Sequence, residues 1–346
     1  MIRQTNEKEI IEQAIEALIR QTGCKMVYEL LTAPEPYFAD AKVELKAEQG
    51  NYFFIADIKA RATRAEALLP LLRLLNRPEE FLLVTRQVTA EMADRFRDNG
   101  IQFIDDAGNA YINRPQFYLF IKGNKDRDAA RPPVIGRAFK QTGLRVLYAL
   151  LCNPGMENET YRVIADKAEV ALGMVDWTMR ELRELGFLIE MGTGRKRNAR
   201  LANKGKLLER WITAYTEQLR PKLFLGRYRG ADGWWENTKL NPDQGLWGGE
   251  VAAARMTGFL KPEDVIIYVA NDAQAKILAQ FRLKKDPQGN VDLYTCFWKP
   301  ETVAPNGDMV HPLLVYADLV ATGNQRNLET ARKIYDGHII QLVRED

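Results

Sequence analysis

Cysteine is scarce in this chain. Cys24, Cys152 and Cys296 are three in 346 residues, odd in number and far apart. That excludes a disulfide scaffold and a thiolate zinc site, and it fits a reducing compartment. Histidine is scarcer still: His311 and His338 stand alone, so no metal cluster is legible. No apolar run is long enough to span a bilayer. The opening "MIRQTNEKEI" is charged and lacks the apolar core of a secretory signal. These absences together lead to the expectation of a cytoplasmic protein with no membrane contact. An excess of one charge is also missing. Lys and Arg number 49 against 46 Asp and Glu, a net charge of +3. So small a total diagnoses no polyanion partner, and the local distribution has to decide.

What is present is ordinary for a globular chain, with 46% hydrophobic and 27% charged residues. The length predicts two or three domains. Residues 6–21 carry an apolar helical stripe, Ile10, Ile11, Ala14, Ile15, Leu18 and Ile19. "AKVEL" and "YFFIADIKA" read as strands, with Gly50-Asn51 as the turn between them. Residues 64–75 read as a helix that Pro70 kinks or starts. "FLLVT" reads as a buried strand, and Thr89 caps a helix ending at Gly100. "IQFID" and "AYI" add strands around a Gly108-Asn109 turn. This is an α/β layer arrangement over residues 1–124. Residues 125–137 form a polar, proline-bearing linker. A helical block follows, which Pro221 closes. Residues 223–346 read as α+β: an irregular stretch rich in Gly and Trp, then strands at "VIIYVAND" and "VDLYTCFW", then two helices joined at Gly323-Asn324.

The stretch from Tyr161 to Leu201 carries the clearest pattern. Val163, Ile164 and Ala168 give a short helix its apolar face. A third helix from Ala171 buries Val175, Thr178 or Met179, Leu182 and Leu185. Leu172, Gly173, Asp176, Trp177 and Arg180 are left facing outward. In a helix-turn-helix that half of the third helix enters the major groove. Trp177 is divided between that face and a core or dimer contact. Gly186 ends the helix, and "FLIE", "MGTGRKRN" and "ARLAN" make a two-stranded wing. Residues 187–222 hold nine basic residues against three acidic ones. Arg195, Lys196 and Arg197 crown the turn, and Arg200 follows on the return strand. Cations there reach phosphates. The expectation for residues 138–222 is a winged helix-turn-helix that binds double-stranded DNA. A solvated loop on a protein-interaction module is the bland alternative.

Three motifs carry a family resemblance: "NGIQFIDDAGNAYI" at residues 99–112, "GLWGGEVAA" at 245–253 and "HPLLVYADLVATGNQRNLETARKIYDGHI" at 311–339. With them the chain resembles AbiEi-type antitoxins, the transcriptional regulators of type IV toxin–antitoxin systems. It is most similar to the branch with a restriction-endonuclease-like domain ahead of the winged helix. The resemblance implies repression of its own operon. It also implies neutralisation of a cognate nucleotidyltransferase-like toxin without a stable complex. A homodimer is compatible with it.

Nucleases of the restriction-endonuclease fold use an Asp, then an acidic-x-Lys on the next strand. Asp40 ahead of "AKVEL", with Asp57 and Lys59 on one strand face, permits that geometry. Mg2+ enters only if this core is active, and no other cofactor is expected. Glu29 in "YELL" is a further ligand candidate, read on a helix. The triplet is also common by chance, and a fold retained for DNA or protein contact is the preferred reading. In the C-terminal region Asp318 and Arg326 are expected to lock the Gly323 turn by a salt bridge. A catalytic role for Asp318, Arg326 or Glu329 is the sharper reading. Trp234, Trp235 and Trp247 make either an exposed partner site or a core. A protein-interaction scaffold stands as the third reading of the whole chain.

Overall fold

The computed structural model describes residues 2–31, 39–48, 50–60, 80–124, 136–191, 198–270, 272–298 and 307–344. The chain divides into two compact units, Met1–Val134 and Ile135–Asp346. Among the described residues no helix is long and apolar enough to cross a membrane.

The first unit is a seven-stranded sheet whose strands run in sequence order. They are β1 (Lys25–Leu30), β2 (Ala41–Ala47), β3 (Gly50–Lys59), β4 (Phe81–Thr85), β5 (Phe103–Asp105), β6 (Ala110–Arg114) and β7 (Phe117–Ile121). The outer pairs are antiparallel, while β3–β4 and β4–β5 are parallel. Parallel neighbours need a crossover. The helix α2 (Ala90–Asp98) supplies one between β4 and β5. Thr89 caps it by accepting from the Met92 amide at 3.2 Å. All five residues of β4 are buried, as a strand covered on both faces requires. Helix α1 (Ile2–Thr22) lays Ile10, Ile11, Ala14, Ile15 and Leu18 against Val43, Leu45, Phe54 and Val84 of the sheet. The 3.6-residue repeat puts those five on one stripe, while Ile19, expected with them, is exposed at the last turn of the helix.

Two expectations for this unit change. Glu29 lies on β1 and not on a helix, because "KMVYEL" alternates exposed and inward positions with period two. Ala47 of β2 pairs with Gly50 of β3, so the reversal comes before Gly50 and not at Gly50-Asn51. The helix expected at 64–75 lies outside the described residues, as does the linker over 125–135.

The second unit starts with a 3-10 turn (Arg137–Phe139), then α3 (Gln141–Cys152), α4 (Tyr161–Ala168) and α5 (Leu172–Glu184). A hairpin of β8 (Leu188–Met191) and β9 (Asn198–Leu201) follows. Helix α6 (Lys204–Ala214) continues as a π-turn (Tyr215–Leu219) into α7 (Arg220–Leu223). Pro221 does not close the block. It sits in the first turn of α7, where a missing N–H costs little. The next residues form strand β10 (Phe224–Arg229) in place of the expected irregular stretch. The alternation of Gly226 and Tyr228 inward is the signal for it, hidden among arginines and glycines.

β10 joins β11 (Gly245–Gly248), β12 (Val265–Val269), β13 (Lys284–Lys285) and β14 (Val291–Thr295) in the order β11-β12-β14-β10-β13. β12 and β14 are parallel, and helix α9 (Gln274–Gln280) lies in the connection between them. Helices α8 (Gly249–Thr257), α10 (Pro312–Thr322) and α11 (Gln325–Ile334) pack together beside the sheet. A π-turn (Tyr335–Ile339) and α12 (Ile340–Val343) finish the described chain.

One aromatic core joins the helices to this sheet. Tyr148 of α3 stacks on Trp211 of α6 at 5.5 Å, and Trp211 stacks on Tyr215 at 4.9 Å. Tyr148 also meets Phe297 at 5.0 Å and Trp298 at 5.4 Å, and Trp298 meets Tyr268 of β12 at 5.5 Å. The Trp211 indole N–H donates to the Leu144 carbonyl at 2.9 Å, so its one polar atom is satisfied inside.

Candidate nucleic-acid interface

Helix α5 is amphipathic, and its two faces are well separated. Val175, Thr178, Met179 and Leu182 are fully buried. Leu172, Gly173, Trp177 and Arg180 are exposed, and Asp176 is half-buried. The expected outward face is therefore outward. Trp177, divided between core and surface on sequence grounds, is 46% exposed. Leu185 is corrected. It lies just past the helix and is exposed, because the chain turns there into Gly186 at φ 73°. Val163 is likewise exposed, and Ala165 takes its place in the core beside Ile164 and Ala168. The turn between α4 and α5 is closed by Glu169 in the left-handed region at φ 50°.

The outward face is extended by a residue the sequence pattern missed. Arg137, placed by pattern at the end of the linker, lies with its guanidinium 4.5 Å from the Trp177 ring centre. Arg180 lies 5.0 Å from the same ring. The 3-10 turn that carries Arg137 is fixed to α5 by Glu181, whose Oε2 accepts from the Ala138 amide at 2.9 Å. A β-carbon on Gly136 would meet Glu181 Oε1, so the Glu181 carboxylate would have to shift, and its hold on the Ala138 amide with it. The nearest sequence signal is the glycine itself, one step before Arg137. Asp176 is paired with Arg180 one turn on, so its charge is compensated on this face.

The hairpin is tied down at its base. Arg183 of α5 pairs with Glu190 of β8 at 3.2 Å. Asn158 grips β9 by exchanging two hydrogen bonds with the Ala199 backbone, at 2.7 and 2.9 Å. Arg195, Lys196 and Arg197 at the tip lie outside the described residues. Arg200 is half-buried. It lines a cavity of about 560 Å³ with Lys204, Leu150, Leu151 and Leu342, behind the hairpin.

Three buried or half-buried acids organise the rest of the second unit. Asp318 is fully buried. Both of its oxygens accept from the Tyr268 hydroxyl at 2.9 Å, and Oδ1 accepts from Arg220 Nε at 3.2 Å. Tyr215 and Tyr268 share a hydrogen bond of 2.7 Å. Burial pushes the Asp318 carboxyl up, opposed by Arg220, Tyr268 and the Gly249 amide. A β-carbon on Gly248 would run into the Tyr268 ring and Asp318. Glu250 accepts from Arg326 Nη2 at 3.0 and 3.1 Å, from Asn327 at 2.8 Å and from the Glu263 amide at 2.7 Å. Asp308 takes Arg255 at 3.0 Å and the Trp247 indole N–H at 3.1 Å. The Asp318–Arg326 lock expected from spacing is therefore replaced. Asp318 faces inward to Arg220, and Arg326 reaches Glu250 and Glu263 instead. Glu329 is exposed. Trp247 is fully buried and the half-buried Trp234 packs on it at 5.6 Å, so these two fill a core, while Trp235 is half-buried.

The family model described as "Transcriptional regulator, AbiEi antitoxin, Type IV TA system" matches residues 200–340. That span holds all three acid hubs, with Arg220, Glu250, Arg255, Asp308, Asp318 and Arg326. It covers both C-terminal motifs of the resemblance, and the motif at 99–112 lies outside it. No curated protein and no solved structure matches the chain.

In the first unit, Asp40 bonds the backbone of the strand that carries Asp57 and Lys59. The Asp40 amide donates to Ala56, and Asp40 Oδ2 accepts from the Ile58 amide at 2.9 Å. Lys59 Nζ lies 2.7 Å from Asp57 Oδ1. Both carboxylates are buried and both are already engaged. Among the described residues no three His, Cys, Asp or Glu side chains converge in a way that could hold a metal. Two partnered carboxylates do not by themselves fit a Mg2+ site.

Proposed function

We propose that this protein is a DNA-binding transcriptional regulator acting as the antitoxin of a type IV toxin–antitoxin system. In this reading it represses its own operon and counters a nucleotidyltransferase-like toxin. The observation that carries the DNA-binding part is the outward face of α5. Arg137, Trp177 and Arg180 make a cation–aromatic cluster there, one helix after a tight turn and directly before a hairpin. The third helix of such a unit supplies base contact, and the hairpin supplies phosphate contact. The match over residues 200–340 supports the antitoxin part.

The aromatic core gives a physical reason for the two parts to act together. Tyr148, Trp211 and Tyr215 from the helices and Phe297, Trp298 and Tyr268 from the sheet side pack as one body. The test has two arms. Footprinting on the DNA upstream of the reading frame should reveal protected bases. Co-expression with a neighbouring nucleotidyltransferase-like toxin should restore growth. Absence of protection at low salt removes the regulator reading, and absence of rescue removes the antitoxin reading.

A second reading rests on the Asp57–Lys59 pair and on Asp40 bonding the Ile58 amide between them: a nuclease core delivered to DNA by the second unit. Purified protein with Mg2+ or Mn2+ that leaves linear and branched DNA intact rejects it.

A further inference from the structure

On the outward face of α5, Arg180 is held from two sides. Its Nη2 donates to Asp176 Oδ2 one turn back. Its guanidinium stands over the Trp177 ring. Trp177 is itself steadied by Arg137. The Asp176 and Arg180 side chains remain 47% and 53% exposed, so the arrangement faces solvent and not the core. As a stabilising surface pair it would be weak. Its consequence is a guanidinium whose orientation is set before any ligand arrives, which reduces the rotamer freedom given up on binding. A guanidinium has five N–H donors in one plane. Asp176 engages one nitrogen, and donors remain for a second partner.

We infer that Arg180 reads a guanine, and that Asp176 both buttresses it and accepts from the N4 amine of a cytosine, so that α5 selects a G·C pair. The inference rests on the DNA-binding reading above and names what that face recognises. Guanine presents N7 and O6 side by side in the major groove, two acceptors matched to a guanidinium fork. Cytosine presents a donor amine that a carboxylate accepts. Adenine would turn its own N6 donor toward the fork, and thymine offers a single acceptor. The same chemistry accounts for an acidic residue on a face otherwise suited to a polyanion. Tied to Arg180, Asp176 carries a compensated charge and is directed to a base edge.

The probe is a duplex of the DNA immediately upstream of the protein's own reading frame. Its guanines are replaced one at a time by 7-deazaguanine, which deletes N7 and keeps base pairing. The expected result is a guanine position at which wild-type affinity falls on the order of tenfold. Arg180→Ala should bind more weakly and lose that sensitivity. Arg180→Lys, which keeps the charge but lacks the planar fork, should reduce it. Asp176→Asn should narrow the preference for G·C over A·T at that position while still binding the duplex. Circular dichroism and thermal melting establish that each variant is folded. A flat scan for a wild-type protein that binds the duplex overturns the guanine reading and leaves DNA binding standing. Unchanged sensitivity in Arg180→Ala overturns it as well. No binding of the duplex at low salt overturns the DNA-binding reading and this inference with it.

Discussion

Replacing Asp318 by alanine removes the anion at the centre of the second unit. Asp318 is fully buried and accepts from Tyr268 at 2.9 Å and from Arg220 at 3.2 Å. Without it a guanidinium remains whose side chain is 21% exposed, beside two tyrosine hydroxyls left with each other. Removing one partner of a buried ion pair costs about 3–5 kcal/mol. The open fifth of Arg220 lets water reach the orphaned charge, which places the cost near the lower end, about 3 kcal/mol. In a unit of this size that lowers the melting midpoint by about 6–12 °C. Tryptophan fluorescence reads the transition, since Trp211, Trp247 and Trp298 are buried in the same unit. The double variant Arg220→Met with Asp318→Leu should recover most of the loss, because it leaves no unpaired charge to desolvate. A single variant that loses less than about 1 kcal/mol would refute the reasoning, as would a double variant no more stable than the single.

Three further outcomes are expected. Burial raises the Asp105 carboxyl to about 6, against hydrogen bonds from Asn109 and the Val88 amide. The native state therefore holds its proton where the unfolded state has lost it. Stability of the first unit should fall as pH rises from about 4 to 6, by up to about 3 kcal/mol, and Asp105→Asn should abolish that slope. A urea midpoint that does not change across that range contradicts it. His311 goes the other way. Burial, aided by His338, lowers it to about 4, and its neutral Nδ1 accepts from the Leu313 amide at 3.2 Å to cap α10. Here the unfolded state binds the proton first, so stability of the second unit should fall as pH drops from about 6.5 to 4, and His311→Asn should flatten the drop. In the nuclease assay, Asp57→Ala and Lys59→Ala should leave DNA binding unchanged. Cleavage by wild type that vanishes in both would reverse the preference for a non-catalytic core.

The legible parts of the molecule are those where one periodicity dominates. The stripe of α1 short of Ile19, the continuous apolar run of β4 and the two faces of α5 short of Leu185 follow from spacing alone. The parts that mislead are those where partners come from far along the chain. Asp318 and Arg326 look like a local pair because they flank one turn, yet each reaches a partner more than 60 residues away. β10 has the alternation of a strand, but its arginines are paired to Asp286 and Asp292 on neighbouring elements, which sequence cannot foresee. Arg137 joins the α5 face through Glu181 and Trp177, a placement that only the packed structure supplies. "NGIQFIDDAGNAYI" reads as strand and turn, and it also holds the Asp105–Asn109 knot. The Asn109 side chain fastens the Asn124 backbone, three residues past β7.

Binding of a polyanionic duplex by the second unit underlies the proposed function. Its most direct test is the salt dependence of affinity for the upstream DNA, measured for wild type and for the triple variant Arg195→Ala, Lys196→Ala, Arg197→Ala. For wild type, log affinity should fall linearly with log salt. The variant should bind more weakly, with a slope shallower by about 0.9 for each phosphate left without its cation, about 2.7 if all three side chains reach phosphate. Equal slopes for the two proteins, or no binding by wild type in dilute buffer, would contradict it.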